Sequence, residues 1–239
     1  MYNNTVCDQV VGSDGAQFPP DVGHKDTLQI FSGDTCRPIY MSFDKETSVK
    51  KFKTLRFKIK SFDDKHMSGE NCFCTQEDGC YGEGLMDVSP CKQDAPISIS
   101  KPHFLGAERH LKNISGLSPT PEKHDPWIDV EPWTGIPLEA SIKFQVNIKT
   151  SHGKDFLHPI TYPNKIVPLM WFQQNAVVTD ESVAKLNEEL FSKITLFRAV
   201  ASVMIVVGII GVIIAIIFNR QNILNNILKY LKYPKHVIS

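Results

Sequence analysis

The chain has no aspartate or glutamate after Glu189 and no cysteine after Cys91. It also lacks His-Glu-x-x-His, Gly-x-Ser-x-Gly, a phosphate-cradling Gly-x-x-x-x-Gly-Lys-Ser/Thr and a dinucleotide-binding glycine fingerprint, so the common hydrolytic and nucleotide-dependent chemistries have no motif to start from. No enzyme activity, cofactor or metal is expected. Charge of one sign is missing as well: 26 basic residues balance 26 acidic ones, which argues against nucleic acid as a partner and against long disorder. No internal repeat or low-complexity tract is visible. Nothing near Met1 resembles a basic, apolar-cored signal peptide, so a segment upstream of this chain is expected if its body lies outside the cytosol.

The absences are unevenly spread, and that unevenness organises the sequence. Arg198, Arg220, Lys229, Lys232 and Lys235 lie at the C-terminal end with no acidic residue among them, so a mildly acidic body is joined to a basic tail. Between the two, residues 199–218 are uncharged, and only Ser202, Gly208 and Gly211 depart from an Ala/Val/Ile/Met/Phe composition. Such a run has the length of a bilayer-spanning helix, about 20 residues at roughly 1.5 Å each. The small-residue pair Gly211 and Ala215 would let another membrane helix approach closely.

By the basic-residue rule the C-terminus is cytoplasmic, with residues 1–198 outside the cytosol, 199–218 in the membrane and 219–239 as a short basic tail. All six cysteines, Cys7, Cys36, Cys72, Cys74, Cys80 and Cys91, fall in the outer portion, where disulfides form. The sequons at Asn3 and Asn113 are on the same side. A competing reading has Cys72-x-Cys74 with Cys80 and Cys91 binding zinc in a tail-anchored cytosolic protein, although the spacing matches no common zinc pattern.

Residues 1–52 read as loop-rich, with turn chemistry at Gly12-Ser13-Asp14-Gly15, Pro19-Pro20 and Gly33-Asp34. Two later segments alternate. Leu55, Phe57 and Ile59 interleave with Arg56, Lys58 and Lys60, while Ile142, Phe144, Val146 and Ile148 interleave with Lys143, Gln145, Asn147 and Lys149. Each predicts an antiparallel strand with the apolar row buried and the polar row wet, and residues 97–100 read as a shorter version. Residues 166–172 form a continuous apolar run broken by Pro168. Eight of the fifteen prolines lie from Pro90 to Pro137, which predicts an irregular covering there. Within it, His124, Asp125, Asp129 and Glu131 form the densest polar cluster, read as turn capping in preference to an acid/base or metal site. From Asp180 a helical period leads into the membrane segment, and a short amphipathic helix is expected beyond it on the inner leaflet.

A series of short stretches then narrows the reading. In order they are Cys7 with Gly12-Ser13-Asp14-Gly15 and Phe18-Pro19-Pro20, then Asp34-Thr35-Cys36-Arg37, Asn71-Cys72-Phe73-Cys74 and Gly84-Leu85-Met86-Asp87 leading to Cys91. Ala95-Pro96, Pro102-His103-Phe104, Gly116-Leu117-Ser118-Pro119 leading to His124, Asp129-Val130-Glu131-Pro132-Trp133-Thr134-Gly135 and Gln145-Val146-Asn147 follow. With the C-terminal apolar helix, this order resembles the C-terminal half of class B scavenger receptors, the family of platelet glycoprotein IV, lysosomal integral membrane protein and insect sensory neuron membrane proteins.

The resemblance implies an α+β fold: part of a large antiparallel β-barrel ectodomain with short helices and an apolar tunnel, followed by one transmembrane helix. It implies disulfides Cys7–Cys72, Cys36–Cys91 and Cys74–Cys80, a pairing that spacing alone does not select from the fifteen available. It also implies a plasma-membrane glycoprotein whose partners are lipids or lipoprotein particles. Leu55, Phe57, Ile59, Ile142, Phe144, Val146 and Ile148 are then candidates to face lipid.

Relatives carry a second membrane helix near their N-terminus and a helical ligand-capturing apex. Neither has a counterpart here, so the chain reads as a fragment, with a homo-oligomer or packing against that missing helix as its expected association. The tail lacks an acidic dileucine signal, which points away from the lysosomal branch, and Gly84-Leu85-Met86-Asp87 with the Phe18-Pro19-Pro20 region looks most like the insect sensory or scavenger branches. The alternative function is a protein-docking or sorting receptor without lipid transport, with an ecto-enzyme behind it.

Overall fold

The computed structural model describes residues 6–62, 73–74, 81–150 and 165–232. The chain divides into two compact units, Met1–Val178 and Thr179–Ser239.

The first unit is built on one antiparallel sheet. Its strands are β1 (Thr27–Ser32), β2 (Arg37–Val49), β3 (Phe52–Ile59), β4 (Leu85–Asp87), β5 (Ile97–Ser100), β6 (Trp127–Val130), β7 (Pro137–Thr150) and β8 (Lys165–Val177). The spatial order is β1-β2-β3-β6-β7-β5-β4, with β8 paired to β7. β8 runs along β7 from Glu139 to Thr150, so β6 (opposite residues 137–141) and β5 (opposite 145–148) divide the other edge of β7 between them. β7 is therefore the junction of the sheet, flanked on both edges over most of its length.

The expectation of loops up to residue 52 is corrected, because β1 and the whole of β2 lie there. The Gly12-Ser13-Asp14-Gly15 turn clasps β1, with Ser13 N–H donating to Gln29 O (2.9 Å) and Phe31 N–H to Ser13 O (2.8 Å). The proline-rich stretch also contributes to the sheet. β5 and β6 fit between prolines, and β6 pairs with both β3 and β7 because four residues suffice when no proline N–H is required. Pro168 is tolerated in β8 for a related reason: the β7–β8 register shifts there, from Val146↔Met170 to Asn147↔Pro168, leaving Leu169 as the extra residue of a bulge.

Cross-strand neighbours share a face. One face carries Leu28 and Ile30, Met41 and Phe43, Leu55, Phe57 and Ile59, then Ile128, then the row from Ala140 to Ile148, with Ile97 and Ile99 beyond. Phe18, Val22, Phe62 and Val88 cover part of it, forming the main core cluster. Phe57 is fully buried, and removing such a ring from a packed core costs about 3–5 kcal/mol. A smaller cluster of Tyr81, Leu85, Phe104 and Ala107 forms a second core.

The opposite face overturns the wet-face expectation for β7. Ser141, Lys143, Gln145 and Asn147 are all buried, as are Ser98 and Ser100 of β5, while Ile142, Phe144 and Val146 are half-buried and Ile148 is exposed. Alternation identifies which side chains share a face, but a polar row is buried as readily as an apolar one if its groups are paired. Here Gln145 Nε2 donates to Asn147 Oδ1 (2.8 Å), and Asn147 Nδ2 to Ser100 Oγ (3.0 Å). Residues 101–125, which include the four-residue helices α1 (Glu108–Leu111) and α2 (Pro121–His124), supply further partners from above: His103 N–H donates to Gln145 Oε1 (2.9 Å).

In the second unit, α3 (Asp180–Leu186) is capped by Thr179, whose hydroxyl accepts from Ser182 N–H (3.2 Å). A five-residue π-helical turn, Asn187–Phe191, passes into α4 (Ser192–Lys232). α4 contains the expected span 199–218 and is long and apolar enough to cross a membrane. It also corrects the expectation of a separate amphipathic helix, because Ile223, Leu224, Ile227 and Leu228 continue the same helix without a break.

Candidate functional site

The sheet places all seven candidate lipid-facing residues on one face and then separates them. Leu55, Phe57 and Ile59 are packed by protein in the main cluster. Ile142, Phe144, Val146 and Ile148 lie toward the β7–β8 side, where cover is thinner: Phe144 still packs against the main cluster, but Ile148 is 38% exposed, and Val167, Met170 and Phe172, the β8 partners of Ile148, Val146 and Phe144, are 39%, 59% and 42% exposed. Phe144 meets Phe172 edge-on with ring centroids 3.7 Å apart. The result is an apolar sheet face sealed at one end and open at the other. Phe172 and Met170 were not singled out from sequence, since the continuous apolar run 166–172 hides which of its residues share a face.

A groove of about 630 Å³ lies at the β2–β3 end of the same unit. Val22 and Leu55 of the main cluster line it, and His24, Glu46 and Lys53 give it a polar margin. His24 Nε2 is 3.1 Å from Glu46 Oε1, and its ring lies 4.6 Å from that of Phe43. Two apolar side chains of the main cluster thus meet polar groups along one groove. Its polar residues are far apart in sequence, and no local pattern announces them.

Each member of the polar cluster noted within the proline-rich segment has its partners inside the protein. Asp129 is fully buried and accepts two bonds from Arg56, at 2.6 and 2.7 Å, while the guanidinium stacks over Trp127 at 3.6 Å. That hydrogen-bonded carboxylate raises the Arg56 pKa. Glu131 ties its own loop, accepting from the N–H groups of Trp133 (3.1 Å) and Thr134 (2.8 Å) and from the Thr134 hydroxyl (2.6 Å). Asp125 bridges Lys101 (2.7 Å) and Lys58 (3.4 Å). His124 Nδ1 accepts from Thr120 N–H (2.9 Å), and burial lowers the pKa of His124. Among the described residues no three of His, Cys, Asp and Glu are grouped to hold a metal ion.

Cys36 and Cys91 form a disulfide with Cα atoms 5.9 Å apart. Cys7 and Cys74 are also disulfide-bonded; Cys72 and Cys80, like Asn3, lie outside the described residues. Cys7 is buried against Phe73, the chain neighbour of Cys72 and Cys74, and Phe73 in turn lies beneath the Arg37 guanidinium at 4.5 Å. Asn113 is exposed just after α1, with its amide nitrogen donating to Arg109 O (3.2 Å).

Comparison with known proteins places this architecture. A family model described as the CD36 family matches residues 1–219. The chain is 38% identical over 216 residues to sensory neuron membrane protein 1 of Bombyx mori, covering 89% of this chain and 41% of that protein. It is 33% identical over 182 residues to human lysosome membrane protein 2, covering 76% of this chain and 38% of that one. The chain thus spans about two-fifths of the length of these curated relatives. With one membrane-length apolar helix following a disulfide-bonded antiparallel sheet, the chain belongs to the CD36 family of scavenger-receptor-like membrane proteins.

Proposed function

We propose that this chain is the lipid-accepting part of a plasma-membrane receptor and carries lipidic ligands along the apolar face of its sheet. The observation that carries the reading is the half-open row Ile142, Phe144, Val146 and Ile148 with Met170 and Phe172 beside it, continuous with the buried apolar face around Leu55. An acyl chain laid on such a face gains about 25 cal/mol for each Å² of apolar surface removed from water, and no bond need be broken. In a longer chain the same face would line a closed barrel and its tunnel. The groove at the β2–β3 end, lined by Val22 and Leu55 beside His24, Glu46 and Lys53, is a second place where an amphiphile's polar group would be held.

Residues 1–198 lie outside the cell in this reading, the span 199–218 crosses the bilayer and the basic tail is cytoplasmic. Support comes from the cysteines, bonded where described, from the accessible Asn113 sequon and from the basic residues beyond the apolar span. The pairings Cys7–Cys72 and Cys74–Cys80 belong to the same proposal, the first supported by the contact of Cys7 with Phe73.

The test uses the full chain in lipid nanodiscs and a fluorescent long-chain fatty acid. Phe144→Glu and Ile148→Glu, each placing a charge on the open face, are expected to weaken binding roughly tenfold or more. Val10→Glu, at an exposed position away from this face, should leave it unchanged. Equal affinity in all three variants rules the face out as the ligand surface, and a docking receptor becomes the better reading.

A further inference from the structure

We propose that His103 and His124 form an acid-sensitive latch, holding residues 101–125 closed over the polar row of β7 near neutral pH and releasing them on acidification. The two imidazole rings stack with centroids 4.3 Å apart and planes 17° apart. Trp171 of β8 meets both rings nearly edge-on, with centroids at 6.2 and 5.9 Å. The latch thus joins three separate elements: the turn Pro102–Phe104, helix α2 and strand β8.

The hydrogen bonds fix which ring nitrogen accepts. His103 Nδ1 accepts from Ser118 N–H (3.1 Å), and His124 Nδ1 accepts from Thr120 N–H (2.9 Å). An imidazolium carries a proton on both nitrogens and accepts nothing, so protonating either ring breaks a main-chain bond of the cover. Protonating both would also set two cations face to face.

The surrounding charges act in the same direction. Lys143 of β7 and Lys123 of α2 both oppose a charge on His124. Arg56 and Lys58 of β3, together with Lys101, add cations near the same row, against which stand Asp125, paired with Lys101 and Lys58, and Asp44 of β2, paired with Lys58. β8 presents Trp171 and Gln173 on this side and no charge. Burial lowers the pKa of Lys143 as well, marking a site that already resists positive charge. The closed backbone is itself held under strain, since His103 and Phe104 adopt φ of 56° and 55°, a region costly for side chains of this size.

The direction of the pH response follows. Burial lowers the His124 pKa from its ordinary 6.5, so closure is fully stabilised above that value and loses stability as pH falls below it. The full chain in nanodiscs is examined by hydrogen exchange, corrected for intrinsic rates, at about pH 7.5 and about pH 5. Protection of residues 101–125 should fall roughly tenfold or more at the acid value while the β2–β3 hairpin keeps its protection, and H103Q/H124Q should abolish the difference. Histidine C2–H exchange in the unaltered chain gives a readout that needs no variant, with His124 titrating below the ordinary value. Equal protection at both pH values, an undiminished acid response in H103Q/H124Q, or His124 titrating at or above 6.5 would each overturn the latch.

Discussion

Gly135 shows what a short motif can conceal. Its φ is 72°, and a Cβ at that position would lie 2.2 Å from Phe18 O, because the loop closed by Glu131 packs directly on the chain at Phe18, whose N–H donates to Gly135 O (2.8 Å). A side chain is excluded both by backbone conformation and by space. Gly135→Ala should therefore destabilise the sheet unit by on the order of 1–3 kcal/mol, read as a lowered thermal midpoint of the full chain in detergent, whereas Gly33→Ala, with open space around it, should cost far less. Gly84 is constrained in the same way, with φ of 85° and Ala107 Cβ 2.4 Å from the added atom. In the sequence these glycines stand out only as members of an ordered series of short motifs. Their necessity comes from contacts with Phe18 and Ala107, distant residues that no local pattern reveals. The acidic residues of the same motifs were better legible: turn chemistry predicts loop-tying carboxylates, and Glu131 is one. Asp129 instead finds Arg56 across the sheet, a partner 73 positions away.

Strands were legible where one face is simply core. β3 follows its alternation, with Leu55, Phe57 and Ile59 buried. β7 has an equally clear alternation, yet its polar row is the more deeply buried, because residues 101–125 cover it, with His103 N–H donating to Gln145, and Ser98 and Ser100 of β5 accept from Asn147. Period fixes register between faces but not which face a distant segment will cover. β1 and β2 lack a clean period because turn-forming residues flank β1 and the bulge at Asp44 interrupts β2, and β6 is obscured because its four residues sit among prolines. The Cys36–Cys91 bridge joins the start of β2 to the segment after β4 across 55 positions. Loop-closure entropy for a link of that span is about 4 kcal/mol, so C36S/C91S should lose stability of that order, seen as an earlier denaturant midpoint. An unchanged midpoint would mean that the bridge closes a region already ordered in the unfolded ensemble.

At the scale of the molecule, two units with different solvents are joined in one chain: a disulfide-bonded sheet with a polar covering, and a long helix whose middle is uniformly apolar. The membrane helix was the plainest feature of the sequence, since length and lack of charge alone announce it. Family membership was legible from the order of motifs, and the comparisons establish it across residues 1–219. The half-open apolar face was not legible, because it depends on β8 lying beside β7 and on how much of the row from Ile142 to Ile148 the rest of the unit covers. That face is the centre of the functional account. Its most direct test is photo-crosslinking of a diazirine-bearing fatty acid to the full chain in membranes, with labelled residues mapped by mass spectrometry. The account predicts label on Ile142, Phe144, Val146 and Ile148 and on Met170 and Phe172, reduced by excess unlabelled fatty acid. Label confined to residues 101–125, or to the membrane helix alone, would contradict it.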